Sequence, residues 1–243
     1  MPGASAQREY ETRAASERAA RRRSWPRRLP GAVAVLLLCL PAAVLFQPLA
    51  LVMGVVVAVT VVVAPMWAAA SSGTLHYRTG ASGEREVGRR LHEVVDRRLS
   101  LGQGAAVLHD RKLPGRDENV DHVLVTPAGV TVVETKNWSG QLRQYRGSWY
   151  AGRRSSVGEA ATQARRQALA VTAVLRSAGI TDVPVSAVVC LVGQARPRTA
   201  LQVKDVVVCG VDQLWVALPL DQGLDQAQVA AAAWALDGRL KST

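Results

Sequence analysis

Residues 119–136 read NVDHVLVTPAGVTVVETK, and this stretch predicts two β-strands joined by a tight turn. Val, Leu and Thr dominate both runs, and Pro127 and Gly129 lie between them, which is typical of a hairpin within a sheet. The charged residues lie at its open end. Asp121 is on the first run, and Glu134 and Lys136 leave the same face of the second. These groups are costly in a Val-rich sheet unless they pair with each other or bind a ligand.

The register of this hairpin decides whether its charged residues form one site. A loop of two or four residues places Val125 opposite Val130, and counting outward then places Asp121 opposite Glu134. Opposed residues share a face, with Cβ atoms roughly 4.5–5.5 Å apart. A three-residue loop with a bulge at Gly129 shifts the count by one and sends Asp121 to the other face. The turn sequence leaves both registers open.

An ordered set of short motifs surrounds the hairpin. The set reads Gly80-x-x-Gly83-Glu84, His109-Asp110, Leu113-Pro114, Asn119-x-Asp121-His122, Glu134-x-Lys136-Asn137-Trp138-x-Gly140, Gly147-x-Trp149 and Gln163. In this order, over about residues 78–192, it resembles the NERD family, the nuclease-related domain of the PD-(D/E)XK superfamily. The strict Pro-Asp dipeptide of that superfamily is absent, because Val120 precedes Asp121.

The resemblance implies an α/β, restriction-endonuclease-like fold, with a mixed sheet flanked by helices. It also implies a catalytic set, which comprises Asp121, Glu134, Lys136, Glu84 and Gln163. The implied cofactor is Mg²⁺ or Mn²⁺, held by Asp121, Glu134 and the backbone carbonyl of Thr135. Spacing alone permits two other interpretations. Lys136 and the carboxylates can form a structural ion pair, and Glu84 and Glu86 can both complement the positive end of a helix.

The rest of the soluble part alternates helical and strand patterns. We expect helices over residues 82–101, 158–179, 211–218 and 225–240, and strands over residues 105–109, 185–192 and 206–209. Residues 110–118 read as a polar loop, and residues 141–150 as a second short hairpin. This series predicts an α/β sandwich around a mixed sheet.

Aromatic and basic side chains follow the central hairpin and are candidates for nucleic-acid binding. They are Trp138, Arg143, Arg146, Trp149, Arg153 and Arg154. Such residues stack on bases and contact phosphates, although the two tryptophans fit the edge of a core equally well. Residues 71–243 contain 22 Arg and Lys and 16 Asp and Glu, a formal charge of +6 that attracts a polyanion.

The segment before this domain predicts a membrane anchor. Residues 1–30 form a basic segment with eight Arg and three Glu, and residues 31–70 are almost wholly apolar. At ~1.5 Å per residue, forty helical residues span about 60 Å, which is two crossings of a ~30 Å hydrocarbon core. Arginines flank both sides of this stretch, so the N-terminus and residues 71–243 are expected in the cytoplasm of a multi-pass cell-membrane protein.

The cysteines and histidines are expected to have structural roles. Cys190 and Cys209 lie in apolar runs without metal-ligand spacing. His122 alternates away from Asp121 and should point to the opposite face, and His109 is expected at a strand end.

Two functions remain from the sequence. The first is a membrane-anchored, metal-dependent enzyme that hydrolyses phosphodiester bonds in DNA or RNA. The alternative is a module on a nuclease-like fold that binds nucleic acid or membrane partners without turnover.

Overall fold

The computed structural model describes residues 74–152, 155–219 and 223–242, with side chains described from residue 80. The predicted basic segment and membrane hairpin, residues 1–70, lie outside these ranges. Within these ranges, no helix is both long enough and apolar enough to cross a bilayer.

A seven-stranded mixed sheet organises the domain. Its strands are β1 (Ala106–Lys112), β2 (Asn119–Thr126), β3 (Gly129–Trp138), β7 (Val185–Gly193), β8 (Leu201–Val203), β9 (Val206–Gly210) and β10 (Lys241–Ser242). Their order is β10-β1-β2-β3-β7-β9-β8. The pairs β3–β7 and β7–β9 are parallel, and the other pairs are antiparallel. The predicted mixed sheet is therefore confirmed.

The β2–β3 hairpin adopts the register that brings its acids together. Val125 pairs with Val130 and Thr126 with Gly129, so the loop consists of Pro127 and Ala128. Gly129 has φ +118°, and a Cβ at this position would lie 2.4 Å from the carbonyl oxygen of Pro184. Glycine is therefore required where the hairpin meets the start of β7.

Helices cover both faces of the sheet. They are α1 (Thr74–Ser100), α2 (Val157–Ser177), α3 (Leu214–Ala217, after a 3₁₀ turn at Val211–Gln213) and α4 (Gln226–Arg239). Neighbouring residues of a strand enter opposite layers, as strand periodicity requires. Val132 packs in the cluster with α2 and α4, whereas Val133 packs in the cluster with α1 and α3.

A smaller sheet joins β3 to α2. It contains β4 (Leu142–Tyr145), β5 (Ser148–Ala151) and β6 (Ser155–Ser156) in that order. Arg146 and Gly147 form its hairpin turn, with φ of 49° and 75°. The predicted second hairpin is thus confirmed.

The boundaries differ from the predicted ones at several places. β1 continues through Lys112, because Arg111 and Lys112 pair with both β2 and β10, so the loop expected from residue 110 begins after residue 112. The helix expected over residues 211–218 is a 3₁₀ turn followed by a single α-turn. The short strands β6, β8 and β10 were not predicted.

Candidate active site

The open end of the β2–β3 hairpin brings the two predicted acids together. The paired register runs to His122 opposite Val133, so the next position places Asp121 opposite Glu134. The Asp121 side chain then reaches across to β3, where its Oδ2 accepts a hydrogen bond of 2.8 Å from the backbone N–H of Thr135. Asp121 therefore lies beside both Glu134 and Thr135.

Lys136 completes this arrangement from the same strand. Its Nζ lies 2.5 Å from Glu134 Oε1 and donates to Gln163 Oε1 at 3.2 Å. The Glu134 side chain is 2% exposed and that of Lys136 is 24% exposed, so the lysine is the more solvent-accessible member of this pair. Asp121, Glu134, Lys136 and Gln163, all expected from the family resemblance, thus lie within one contact network.

A second glutamine, Gln167, holds the other oxygen of Glu134. Its Nε2 donates to Glu134 Oε2 at 2.9 Å and to the backbone carbonyl of Asn119 at 3.0 Å. Gln167 is completely buried. The sequence signal was its position one helical turn after Gln163, but that spacing does not distinguish a buried ligand of Glu134 from an exposed polar residue.

Helix α1 brings Glu84 to the site. A Cβ on Gly83 would lie 2.9 Å from Asn137 Cβ, so glycine allows the helix to lie directly against the end of β3. The adjacent Glu84 is partly buried, and its pKa responds to the charges of Glu134 and Lys136. Glu84 therefore belongs to the same electrostatic cluster.

Asp110 also belongs to this cluster, although the sequence predicted it at the start of a loop. It follows His109, which pairs with His122, and so lies at the register position opposite Asp121. Asp110 is 3% exposed and has φ 51°. Its charge raises the pKa of Glu84. The available signal was the His109-Asp110 dipeptide of the family resemblance.

Burial and like charge dominate the electrostatics of the cluster. Burial, Asp110 and Glu134 raise the pKa of Glu84 from 4.5 to about 7. Burial, Glu134 and Glu84 raise the pKa of Asp121 well above its ordinary value. Burial lowers the pKa of Lys136, but Glu134 and the other carboxylates outweigh that effect and the net pKa is raised. The cluster therefore carries more acid than its one amine neutralises.

The oxygen donors fit a small divalent cation better than a softer metal. Within the described ranges, no three His, Cys, Asp or Glu side chains are arranged to hold a metal ion by themselves. Mg²⁺ typically uses one or two carboxylates and completes its shell with water and phosphate oxygens. The neighbouring Asp121 and Glu134 supply such a pair, and the raised pKa of Asp121 reflects burial first and then repulsion by Glu134 and Glu84, which a cation relieves.

An open groove of about 470 Å³ leads to Lys136 from the side of α2. It is lined by Lys136, Trp138, Ser155, Ser156, Glu159, Ala160, Thr162, Gln163 and Arg166. The basic Arg166 lies one turn from Gln163, and its guanidinium approaches Glu118 at 3.4 Å. The groove therefore reaches the acids through Lys136, which contacts Glu134 and lines the groove.

The two tryptophans predicted to bind nucleic acid pack at the edge of the core. Trp138 and Trp149 are both partly buried and pack against the cluster formed by the start of α2 with β7 and β9. Trp138 also lines the groove beside Lys136. Trp138 is thus packed at the core edge and accessible from the groove.

The candidate arginines lie farther along the small sheet. Arg143 Nε donates to the backbone carbonyl of Gly152 at 3.0 Å. The Arg146 guanidinium lies 5.3 Å from the ring centroid of Tyr145 at the hairpin tip. Arg153 and Arg154 lie outside the described residues.

Three histidines form a connected chain apart from the acids. His109 Nδ1 lies 2.8 Å from His122 Nδ1, and His109 Nε2 lies 3.1 Å from His92 Nε2. Burial lowers the pKa of His109 to about 4 and that of His122 well below its ordinary value. Contrary to expectation, His109 lies within β1 rather than at its end.

Comparison with known families gives one positive result. Residues 79–192 match the family model of NERD, the nuclease-related domain. This NERD segment extends from α1 into β7 and contains every acid of the cluster together with Lys136, Gln163 and Gln167. The match supports the NERD family and a nuclease-like fold. No curated protein and no solved structure gives a significant match to the chain.

Proposed function

We propose that this protein is a membrane-anchored, metal-dependent nuclease that hydrolyses phosphodiester bonds in DNA, or in RNA. The observation that carries the proposal is that Asp121 accepts from the Thr135 N–H beside Glu134, while Lys136 contacts Glu134 and lines a groove. This arrangement lies inside the NERD segment. A site that cleaves a polyanion needs positive charge close to its acids, and Lys136 and Arg166 provide it.

The proposed cation is Mg²⁺ or Mn²⁺, and Asp121, Glu134 and the carbonyl of Thr135 would hold it. When bound, it lowers the pKa of a water molecule and stabilises the charge that develops on the phosphate. Carboxylate and carbonyl oxygens are the ligands that these hard cations prefer. The excess of acid in the cluster supports this choice over a metal-free site.

The remaining residues orient the substrate and its protons. Lys136 holds a phosphate oxygen or the attacking water, because its side chain is far more exposed than that of Glu134 and lines the groove. Gln163 accepts from Lys136 and restricts the positions of that amine. Glu84, with a pKa raised to about 7, holds or releases a proton near neutral pH beside the reacting groups.

The substrate follows the groove towards the small sheet in this proposal. Trp138 and Trp149 offer ring surfaces, and Arg143, Arg146 and Arg166 are basic candidates along this path. The sequence adds Arg153 and Arg154, which lie outside the described residues. DNA is the first choice, with RNA as the other substrate. Residues 31–70 are proposed to contact membrane lipid as a helical hairpin, with residues 1–30 and 71–243 in the cytoplasm.

One observation favours a second function, which is nucleic-acid binding without turnover. Both oxygens of Glu134 already have partners, since Oε1 contacts Lys136 and Oε2 accepts from Gln167. A fully paired carboxylate is stable without a cation. In this alternative the chain binds nucleic acid through the groove, and its affinity is independent of metal.

The variant Lys136→Met separates the two functions. The full-length protein is incubated with Mg²⁺ or Mn²⁺ and with single-stranded DNA, double-stranded DNA or RNA. We expect the wild type to cleave, Lys136→Met to bind without cleaving, and Lys112→Met to cleave normally, because Lys112 lies on the surface beside Asp117. Cleavage by Lys136→Met at the wild-type rate would contradict the proposed mechanism. Metal-independent binding without cleavage by the wild type would favour the second function.

A further inference from the structure

The hairpin is held differently at its closed end and at its open end. Backbone pairing of β2 with β3 extends from the turn to His122 and Val133, although β2 begins at Asn119 and β3 continues to Trp138. Beyond this pair, within the described residues, side-chain hydrogen bonds connect the two strands. Asp121 accepts from the Thr135 N–H, and Gln167 joins the Asn119 carbonyl to Glu134.

Gln167 is well suited to fix this open end. One nitrogen donates to both strands, to the backbone of β2 at 3.0 Å and to the Glu134 carboxylate of β3 at 2.9 Å. The residue is completely buried and projects from the rigid helix α2. Because two acceptors face Nε2, the orientation of the amide is defined by its hydrogen bonds.

Burial of the Gln167 amide has a free-energy cost, which indicates that this side chain does more than fill space. Gln167 Oε1 is buried and lacks a hydrogen-bond partner in the described structure. An apolar side chain of similar volume would avoid that unfavourable burial on a helix face that also buries Ala164 and Val171. The amide therefore contributes through its two donated hydrogen bonds.

We propose that Gln167 is a positioning residue that holds Glu134 and the start of β2, and thereby keeps Asp121 and Glu134 at the separation that a divalent cation needs. This inference rests on the proposed function. Gln167 holds Glu134 Oε2, while Oε1 contacts Lys136, which lines the groove. It acts on the reaction through Glu134 and touches neither substrate nor cation.

The test replaces the amide without changing its volume. Gln167→Met in the full-length protein removes both hydrogen bonds, and Thr172→Val is the matched control, because Thr172 bonds only to Ala168 within the same helix. We expect Gln167→Met to weaken Mn²⁺ binding by calorimetric titration, and to raise the half-saturating Mn²⁺ concentration for cleavage, each by about 10- to 100-fold. Thr172→Val should match the wild type in both measurements.

The outcomes separate this inference from the proposed function. If a folded Gln167→Met protein binds and uses Mn²⁺ like the wild type, the positioning role is overturned and the proposed nuclease remains. If the wild type neither binds Mn²⁺ nor cleaves, the proposed nuclease fails and this inference fails with it.

A second variant covers the case in which Gln167→Met does not fold. Gln167→Asn keeps a polar amide, but its side chain is one methylene shorter and cannot span both acceptors. It should raise the half-saturating Mn²⁺ concentration for cleavage in the same direction as Gln167→Met. A folded Gln167→Asn protein with the wild-type value would overturn the positioning role.

Discussion

The carboxyl of Glu84 should make the metal-free protein less stable at alkaline pH. Burial and the neighbouring Asp110 and Glu134 raise its pKa from 4.5 to about 7. Since the folded state favours the protonated acid, the free energy of unfolding falls as pH rises from 4.5 through 7. The full shift corresponds to about 3 kcal/mol, and partial exposure of the side chain reduces it to about 1–3 kcal/mol. Glu84→Gln, which cannot ionise, should keep that free energy above pH 7.

Urea unfolding of the full-length protein in EDTA measures this effect. At pH 8 we expect Glu84→Gln to be more stable than wild type by about 1–3 kcal/mol, and at pH 4.5 we expect the two to be nearly equal. Glu86→Gln is the matched control, because it removes a carboxylate two residues away on the same helix. If the stability difference between Glu84→Gln and wild type does not increase from pH 4.5 to pH 8, burial and like charge do not raise the pKa of Glu84.

Three further predictions concern the hairpin turn, the histidine chain and the groove. Gly129→Ala should destabilise the fold by at least about 2 kcal/mol in urea, because of its φ and its contact with Pro184, whereas Gly158→Ala in α2 should not. The lowered pKa values of His109 and His122 mean that stability falls as pH drops from 6.5 towards 4. His122→Leu should flatten that dependence. Arg166→Ala should weaken DNA binding in a filter assay and reduce its salt slope by about 0.9, whereas Arg176→Ala should not.

The residue pattern of the central hairpin was sufficient to predict its two strands. Val and Thr runs around Pro127 and Gly129 predicted both strands, and helical periodicity predicted α2 and α4 closely. The short strands could not be predicted in this way, because pairing partners, rather than local propensity, define them. Lys241 and Ser242 become β10 only beside Arg111 and Lys112, which are remote in the chain.

The candidate site was predictable where family spacing marked it. Asp121, Glu134 and Lys136 follow from the hairpin, but their register needed the structure, because Pro127 and Gly129 are compatible with loops of different length. Gln167 and Asp110 were missed as site residues. Gln167 is one of several polar residues on its helix, and Asp110 follows a predicted strand end. Only tertiary packing shows that both side chains are buried at the site.

The most direct test of the proposed nuclease is a Mg²⁺ and Mn²⁺ titration of full-length wild type and Asp121→Ala, with melting temperature and DNA cleavage measured on the same samples. We expect either cation to raise the melting temperature of the wild type and to start cleavage, and we expect Asp121→Ala to lose both effects. A wild type that shows neither effect, or an Asp121→Ala protein that retains cleavage, would contradict the proposed nuclease.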